Sequence, residues 1–274
     1  MIYQHIPLRE NDPDVFLTTY IADERRMVRD AILVIPGGGY GMVCDDREGE
    51  PIALAFLAAG LNAFVLHYSV GEKAKFPRPL ADASLAMCHI REHAEEYGID
   101  PLRVFAVGFS AGGHLCASLG SLWNLPTLRE ELPDMPYGIN RPTGTILCYA
   151  VLSATVATHM GSFCNILGTK EPSEEELARY SINCCVHEGT SPAFFMHTYD
   201  DPLVPLMGAL VTMQAMREKN IPFAARIYPH GNHGIALSNE LTGFGNPDLA
   251  PKDGERWVAD AAEWMKGCPS SEQV

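Results

Sequence analysis

Four short stretches of this chain carry residue types that could do chemistry together. Gly108-Phe109-Ser110-Ala111-Gly112 places a serine between small residues, and Gly113 follows. Further on come Asp200-Asp201-Pro202-Leu203-Val204-Pro205 and His230-Gly231-Asn232-His233-Gly234. Upstream lies Pro36-Gly37-Gly38-Gly39-Tyr40-Gly41. A serine hydroxyl is a weak nucleophile until a base removes its proton. A histidine can take that proton and return it to a leaving alkoxide. A carboxylate behind the imidazole fixes its tautomer and stabilises its charged form. Glycines let a loop turn its amides inward, because positive φ costs them nothing. Amides so aimed stabilise the oxygen anion formed at a carbonyl by roughly 3–4 kcal/mol each. The chemistry implied is acyl transfer through Ser110.

The chain order is serine, then aspartate, then histidine, the order in which G-x-S-x-G nucleophiles find their partners on an α/β sheet. Ser110 is the expected nucleophile, His233 the base and Asp201 the acid, 32 residues before it. Asp201 is preferred to Asp200 because D-x-x-V-P puts it at a strand end, before a helix whose start Pro205 marks. His233 is preferred to His230 because it lies deeper in the glycine-flanked loop. Gly38 and Gly39 are the expected oxyanion donors, with the Ala111 amide. A base of this type works only when neutral, so activity should fall as pH drops through about 6–7. The glycine loop lacks both G-x-G-x-x-G spacing and a following Gly-Lys-Ser/Thr, which speaks against a phosphate cradle.

These residues need a scaffold, and the pattern supplies one. Strand-like runs at 31–35, 61–66, 103–107, 145–151, 194–198 and 224–228 alternate with helix-like segments. The helices fall at about 50–59, 80–97, 111–122, 206–219 and 255–266. An antiparallel strand at 15–22 is expected on the sheet edge. Each chemical motif then follows a strand. Two stretches interrupt the alternation, 125–142 and 159–189, and the second holds Ser173-x-x-Glu176, a capping box. It reads as a lid or cap. The expected fold is α/β, a mostly parallel twisted sheet with helices on both faces and a small lid insertion. With no repeat and no linker, residues 1–274 read as one domain.

Composition narrows the function. The chain has 274 residues, 47% hydrophobic, and a net charge of −14. That charge argues against nucleic acid, which needs basic surface. No apolar run of about 18 residues exists, so no membrane span is expected. The first residues lack the apolar core of a secretory signal. The eight cysteines form no C-x-x-C pair, and free thiols in a reducing cytoplasm are expected. His89 and His93 sit one turn apart with no third ligand in view, so no metal is expected, and no cofactor. Cys184-Cys185 reads as buried thiols. Asp82 should begin the long helix and play a structural part. Phe76-Pro77-Arg78-Pro79 is a loop that should lie near the nucleophile. Tyr40, Met42 and residues 163–167 are candidates to line a substrate pocket.

Taken together, PGGGY, PLADA, GFSAGGHL, DDPLVP and HGNHG resemble the acetyl esterases and carbohydrate acetyl esterases of the α/β-hydrolase superfamily. The resemblance covers about residues 30–266. It implies Ser110, Asp201 and His233 as the triad, and the amides of Gly38, Gly39 and Ala111 as the oxyanion hole. One departure is Pro36, where lipase-like relatives carry histidine. It points toward small cytoplasmic esterases that deacetylate xylan-derived sugars, many of which pair as homodimers. The implied partner is a small-molecule ester such as an acetylated xylo-oligosaccharide. Three other readings exist. A prolyl-oligopeptidase-type peptidase would need a large N-terminal propeller. A formamidase is poorly separated by sequence. A non-catalytic binding protein should have lost a triad residue, and none is missing.

Overall fold

A computed structural model describes residues 1–23 and 27–270. Eight strands form one sheet: β1 (His5–Pro7), β2 (Phe16–Tyr20), β3 (Arg29–Ile35), β4 (Asn62–His67), β5 (Ile99–Phe109), β6 (Thr145–Cys148), β7 (Ala193–Thr198) and β8 (Phe223–Tyr228). Their order is β1-β2-β4-β3-β5-β6-β7-β8. β1 and β2 run antiparallel, and every pairing from β4 to β8 is parallel. The expected antiparallel strand is β2, but the edge belongs to the three-residue β1, too short to show a period.

The period-2 pattern explains the layers. In β3, Ala31, Leu33 and Ile35 face one core, while Ile32 and Val34 face the other. The first core takes Leu80, Ala83 and Met87 of the helix Arg78–Glu92, Leu115 and Leu119 of Ser110–Ser121, and Met213 and Met216 of Met207–Glu218. The second takes Ile52 and Phe56 of Glu50–Ala58, and Trp257, Ala261 and Met265 of Trp257–Gly267. Helices thus cover both faces of the sheet.

The long helix and the strand after Gly144 differ from expectation in extent. The long helix stops at Glu92 and resumes as Ala94–Tyr97, with His93 at the break. It also begins at Arg78, so Asp82 lies inside it. There Asp82 is fully buried, accepts the Ser69 amide at 2.8 Å and pairs with Arg9. β6 ends three residues early, because Tyr149 turns the chain at φ +35°. The capping box is present: Ser173 accepts the Glu176 amide, and Glu176 accepts the Ser173 amide at 2.8 Å. Among the described residues, no helix is long and apolar enough to cross a membrane.

Candidate active site

The sheet places the chemistry at the carboxyl ends of its parallel strands. β3 is flanked by β4 and β5, so successive connections leave it in opposite directions, and such a switch point leaves a crevice. The glycine loop follows β3 and Ser110 follows β5. Ile35 pairs with Gly108, which brings the two loops side by side.

Ser110 sits at φ +54°, a left-handed conformation that a serine rarely adopts. The turn can close only because its neighbours are glycines. A Cβ on Gly108 would stand 2.2 Å from the Gly112 carbonyl oxygen. A Cβ on Gly112 would stand 2.2 Å from the carbonyl oxygens of Ile35 and Pro36. Ser110 begins its helix, so the Ala111 amide has no intrahelical acceptor one turn back.

The loops after β7 and β8 complete the group. His233 Nε2 lies 2.8 Å from Ser110 Oγ, and His233 Nδ1 lies 2.8 Å from Asp201 Oδ2. Asp201 Oδ1 accepts the amides of Leu203 and Val204, both at 2.9 Å. Burial raises the Asp201 pKa, but His233 and those amides outweigh it and hold the carboxyl below its usual range. His197, also buried, has Nε2 3.7 Å from Asp201 Oδ2 and 2.8 Å from the Val204 carbonyl. Burial pulls its pKa down.

Asp200 and His230 form a separate, exposed pair at 3.0 Å. Asp200 also accepts the Gly231 amide at 2.9 Å, which shapes the histidine loop.

In the glycine loop, Gly38 lies at φ +123° and Gly39 at φ +63°. The Gly37 amide is taken by Glu48 Oε2 at 2.8 Å. Among the described residues, the amides of Gly38 and Gly39 have no hydrogen-bond partner. The insertion reaches this loop: Asn165 Nδ2 donates to the Gly39 carbonyl at 2.8 Å. A Cβ on Gly39 would meet His159 Cε1 at 3.6 Å.

Several sequence expectations change. Tyr40 is fully buried, and its hydroxyl lies 2.7 Å from His114 Nδ1, so it packs in the core rather than facing substrate. Phe163 and Ile166 are buried likewise. Phe76 packs on Tyr40, His114 and Tyr180. Met42 is exposed, and its backbone sits under Gly38. Cys184 is exposed rather than buried, and all eight cysteines are free. His89 and His93 stack at 4.0 Å, and His89 holds the Tyr97 hydroxyl at 2.8 Å. Glu48, Tyr149, His159 and Asn165 were not singled out from sequence. Apart from Glu48 with Gly37, 11 residues apart, their contacts with the site span about 90 residues or more.

A mostly parallel sheet with helices on both faces and a serine elbow after β5 defines an α/β hydrolase. The BD-FAE family model matches residues 17–216, and the chain belongs to that family, within the acetyl esterase branch of the superfamily. The chain is 38% identical over 231 residues to an endo-1,4-beta-xylanase B of Butyrivibrio fibrisolvens, covering 83% of this chain and 35% of that protein. It is 29% identical over 249 residues to an acetylxylan esterase of Xylanibacter ruminicola, covering 89% and 46%. The chain therefore spans less than half the length of these two curated relatives. Among solved structures, an acetyl ester-xyloside bifunctional hydrolase from Caldicellulosiruptor lactoaceticus superposes with a TM-score of 0.82 at 31% identity, over 96% of both chains. A carboxylesterase from Lactobacillus plantarum gives 0.84 at 26% identity, over 97% of this chain and 98% of that one.

Proposed function

We propose that this chain is a serine carboxylic ester hydrolase that removes acetyl groups from small substrates such as acetylated xylo-oligosaccharides. The observation that carries the reading is the unbroken relay from Ser110 Oγ through His233 to Asp201, with both links at 2.8 Å. The names of the relatives support the acetyl and xylan part.

Ser110 attacks the ester carbonyl while His233 Nε2 takes its proton. The carbonyl oxygen becomes an anion within reach of the Gly38, Gly39 and Ala111 amides. His233 then protonates the departing alkoxide, leaving acetyl on Ser110. Water, deprotonated by the same imidazole, releases acetate and restores the serine. Asp201 stays ionised and holds Nδ1–H, so Nε2 is the free base. No cofactor enters these steps. Residues 1–274 act as one hydrolase domain, and the insertion around 159–189 covers the glycine loop as a lid.

The test is a substrate panel of acetylated xylo-oligosaccharides, p-nitrophenyl esters of rising acyl length, and aminoacyl and formyl amides, run beside Ser110→Ala. Acetate release from the sugars and faster turnover of acetate than octanoate are expected, with Ser110→Ala inactive. Preference for the amides, or for octanoate, would overturn the assignment.

A further inference from the structure

Glu48 is a carboxylate in the interior that the steps above do not use. It ends the short helix Asp45–Glu48 and is 1% exposed. Its Oε2 accepts the Gly37 amide at 2.8 Å, and its Oε1 accepts the Tyr149 hydroxyl at 2.9 Å. That hydroxyl accepts the Ala236 amide at 3.1 Å, three residues past His233. The Tyr149 ring also stands edge-on to the His233 ring, with centroids 5.0 Å apart. A Cβ on Gly37 would lie 2.7 Å from Glu48 Oε2 and 3.0 Å from Ser110 Cβ, so the carboxylate sits directly behind the nucleophile.

A buried carboxylate is costly unless hydrogen-bonded or paired. Here its bonds go to two loops that must keep their relative position during catalysis. Burial, with the Glu48 charge, pushes the Tyr149 phenol well above its usual pKa, so it remains a donor to Glu48. Arg47 Nη2 is 3.8 Å from Oε1, and its guanidinium lies against Gly234.

We propose that Glu48 is a positioning residue for hydrolysis at Ser110, tying the oxyanion loop at Gly37 to the His233 loop through Tyr149. The proposal rests on the esterase reading given above. Glu48 touches no reacting atom. It fixes Gly37 so that the next two amides point outward, and it fixes Tyr149 so that the imidazole is packed on one side. Its negative charge also favours the imidazolium that forms as Ser110 attacks.

Geometry and charge can be separated. Glu48→Gln keeps both links, since the amide oxygen accepts from Gly37 and the amide NH2 donates to the Tyr149 oxygen, but it removes the charge. Tyr149→Phe breaks the link to Ala236 and leaves ring and charge in place. Other groups facing His233 stay constant: Asp201 and Ser110 by hydrogen bond, Arg47 beside Gly234, and His159 and His197, both lowered in pKa by burial.

The experiment measures kcat, KM and pH profiles on p-nitrophenyl acetate for the full chain, Ser110→Ala, Tyr149→Phe and Glu48→Gln, with a thermal melt of each. Tyr149→Phe should lose about tenfold in kcat with KM within about twofold, from misplacement of the two loops. Glu48→Gln should lose about threefold in kcat with KM within about twofold, because both links survive but the charge favouring the imidazolium formed during attack is gone. A merely structural role would lower the melting temperature and move neither kcat. A folded Tyr149→Phe with wild-type kcat overturns the proposal. Tyr149→Phe lacks one oxygen, so it decides the matter if Glu48→Gln fails to fold. An inactive wild type, or an active Ser110→Ala, would instead sink the esterase reading beneath it.

Discussion

Replacing Asp201 with asparagine should cost about 10⁴-fold in kcat, or ~5.5 kcal/mol, with little change in KM. The structure shows why an isosteric change does so much. Asp201 Oδ1 accepts two backbone amides at 2.9 Å each, from Leu203 and Val204. An asparagine must keep its oxygen there, since an NH2 would face two N–H donors. The NH2 is then forced toward His233 Nδ1, where the carboxylate oxygen stands at 2.8 Å. His233 can answer only by accepting at Nδ1 and carrying its proton on Nε2, the atom that should take the proton of Ser110. The enzyme would hold its shape and its imidazole in the wrong tautomer. Asp200→Asn is the control, because Asp200 pairs with exposed His230 and never meets His233. It should stay within about fivefold of wild type, the margin ordinary for an exposed ion pair. Initial rates on p-nitrophenyl acetate, with a thermal melt of each variant, provide the comparison. Asp201→Asn retaining more than about a tenth of wild-type kcat, or Asp200→Asn falling as far, would refute the tautomer reasoning.

Three further outcomes follow from the same packing. Burial lowers the pKa of His114 to about 4, so the unfolded chain binds its proton first and stability falls as pH drops from about 6.5 toward 4. The full loss is about 3 kcal/mol, and urea melts between pH 4 and 7 should show a shallower decline for His114→Gln; an unchanged decline would contradict this. Gly112→Ala should destabilise by ~3 kcal/mol or more, because its Cβ would enter the carbonyl oxygens of Ile35 and Pro36 at 2.2 Å; a folded variant with a wild-type urea midpoint would show that the elbow can give. Asn165→Ala removes the hydrogen bond to the Gly39 carbonyl and should cost about three- to tenfold in kcat; unaltered kinetics would separate the insertion from the oxyanion loop.

The alternation of apolar runs made the parallel sheet legible, because strands buried on both faces read as continuous hydrophobic stretches. Local chemistry was legible too: the glycines around Ser110 announce a turn that no side chain could enter. β1 was invisible, since three residues of mixed character carry no period. The end of β6 was misjudged because Tyr149-Ala150-Val151 continues the apolar run, while the backbone turns away at Tyr149. The assignment of Tyr40 to a pocket failed for a similar reason. Its place beside the glycine loop suggested substrate, but its hydroxyl is used by His114, and that pairing spans 74 residues. Glu48 is the clearest case. Nothing in Asp45-Asp46-Arg47-Glu48 distinguishes the one carboxylate that turns inward from its exposed neighbours, because its partners lie on other loops.

Hydrolysis by this route requires that Ser110, deprotonated by the His233 imidazole, take the acyl group from the ester and release the alcohol. Treating the full chain with a p-nitrophenyl alkylphosphonate and mapping the adduct by mass spectrometry tests it directly. A single adduct on Ser110 is expected, forming in step with loss of esterase activity and greatly slowed in His233→Ala. An adduct at another residue, or complete inactivation with Ser110 unmodified, would contradict it.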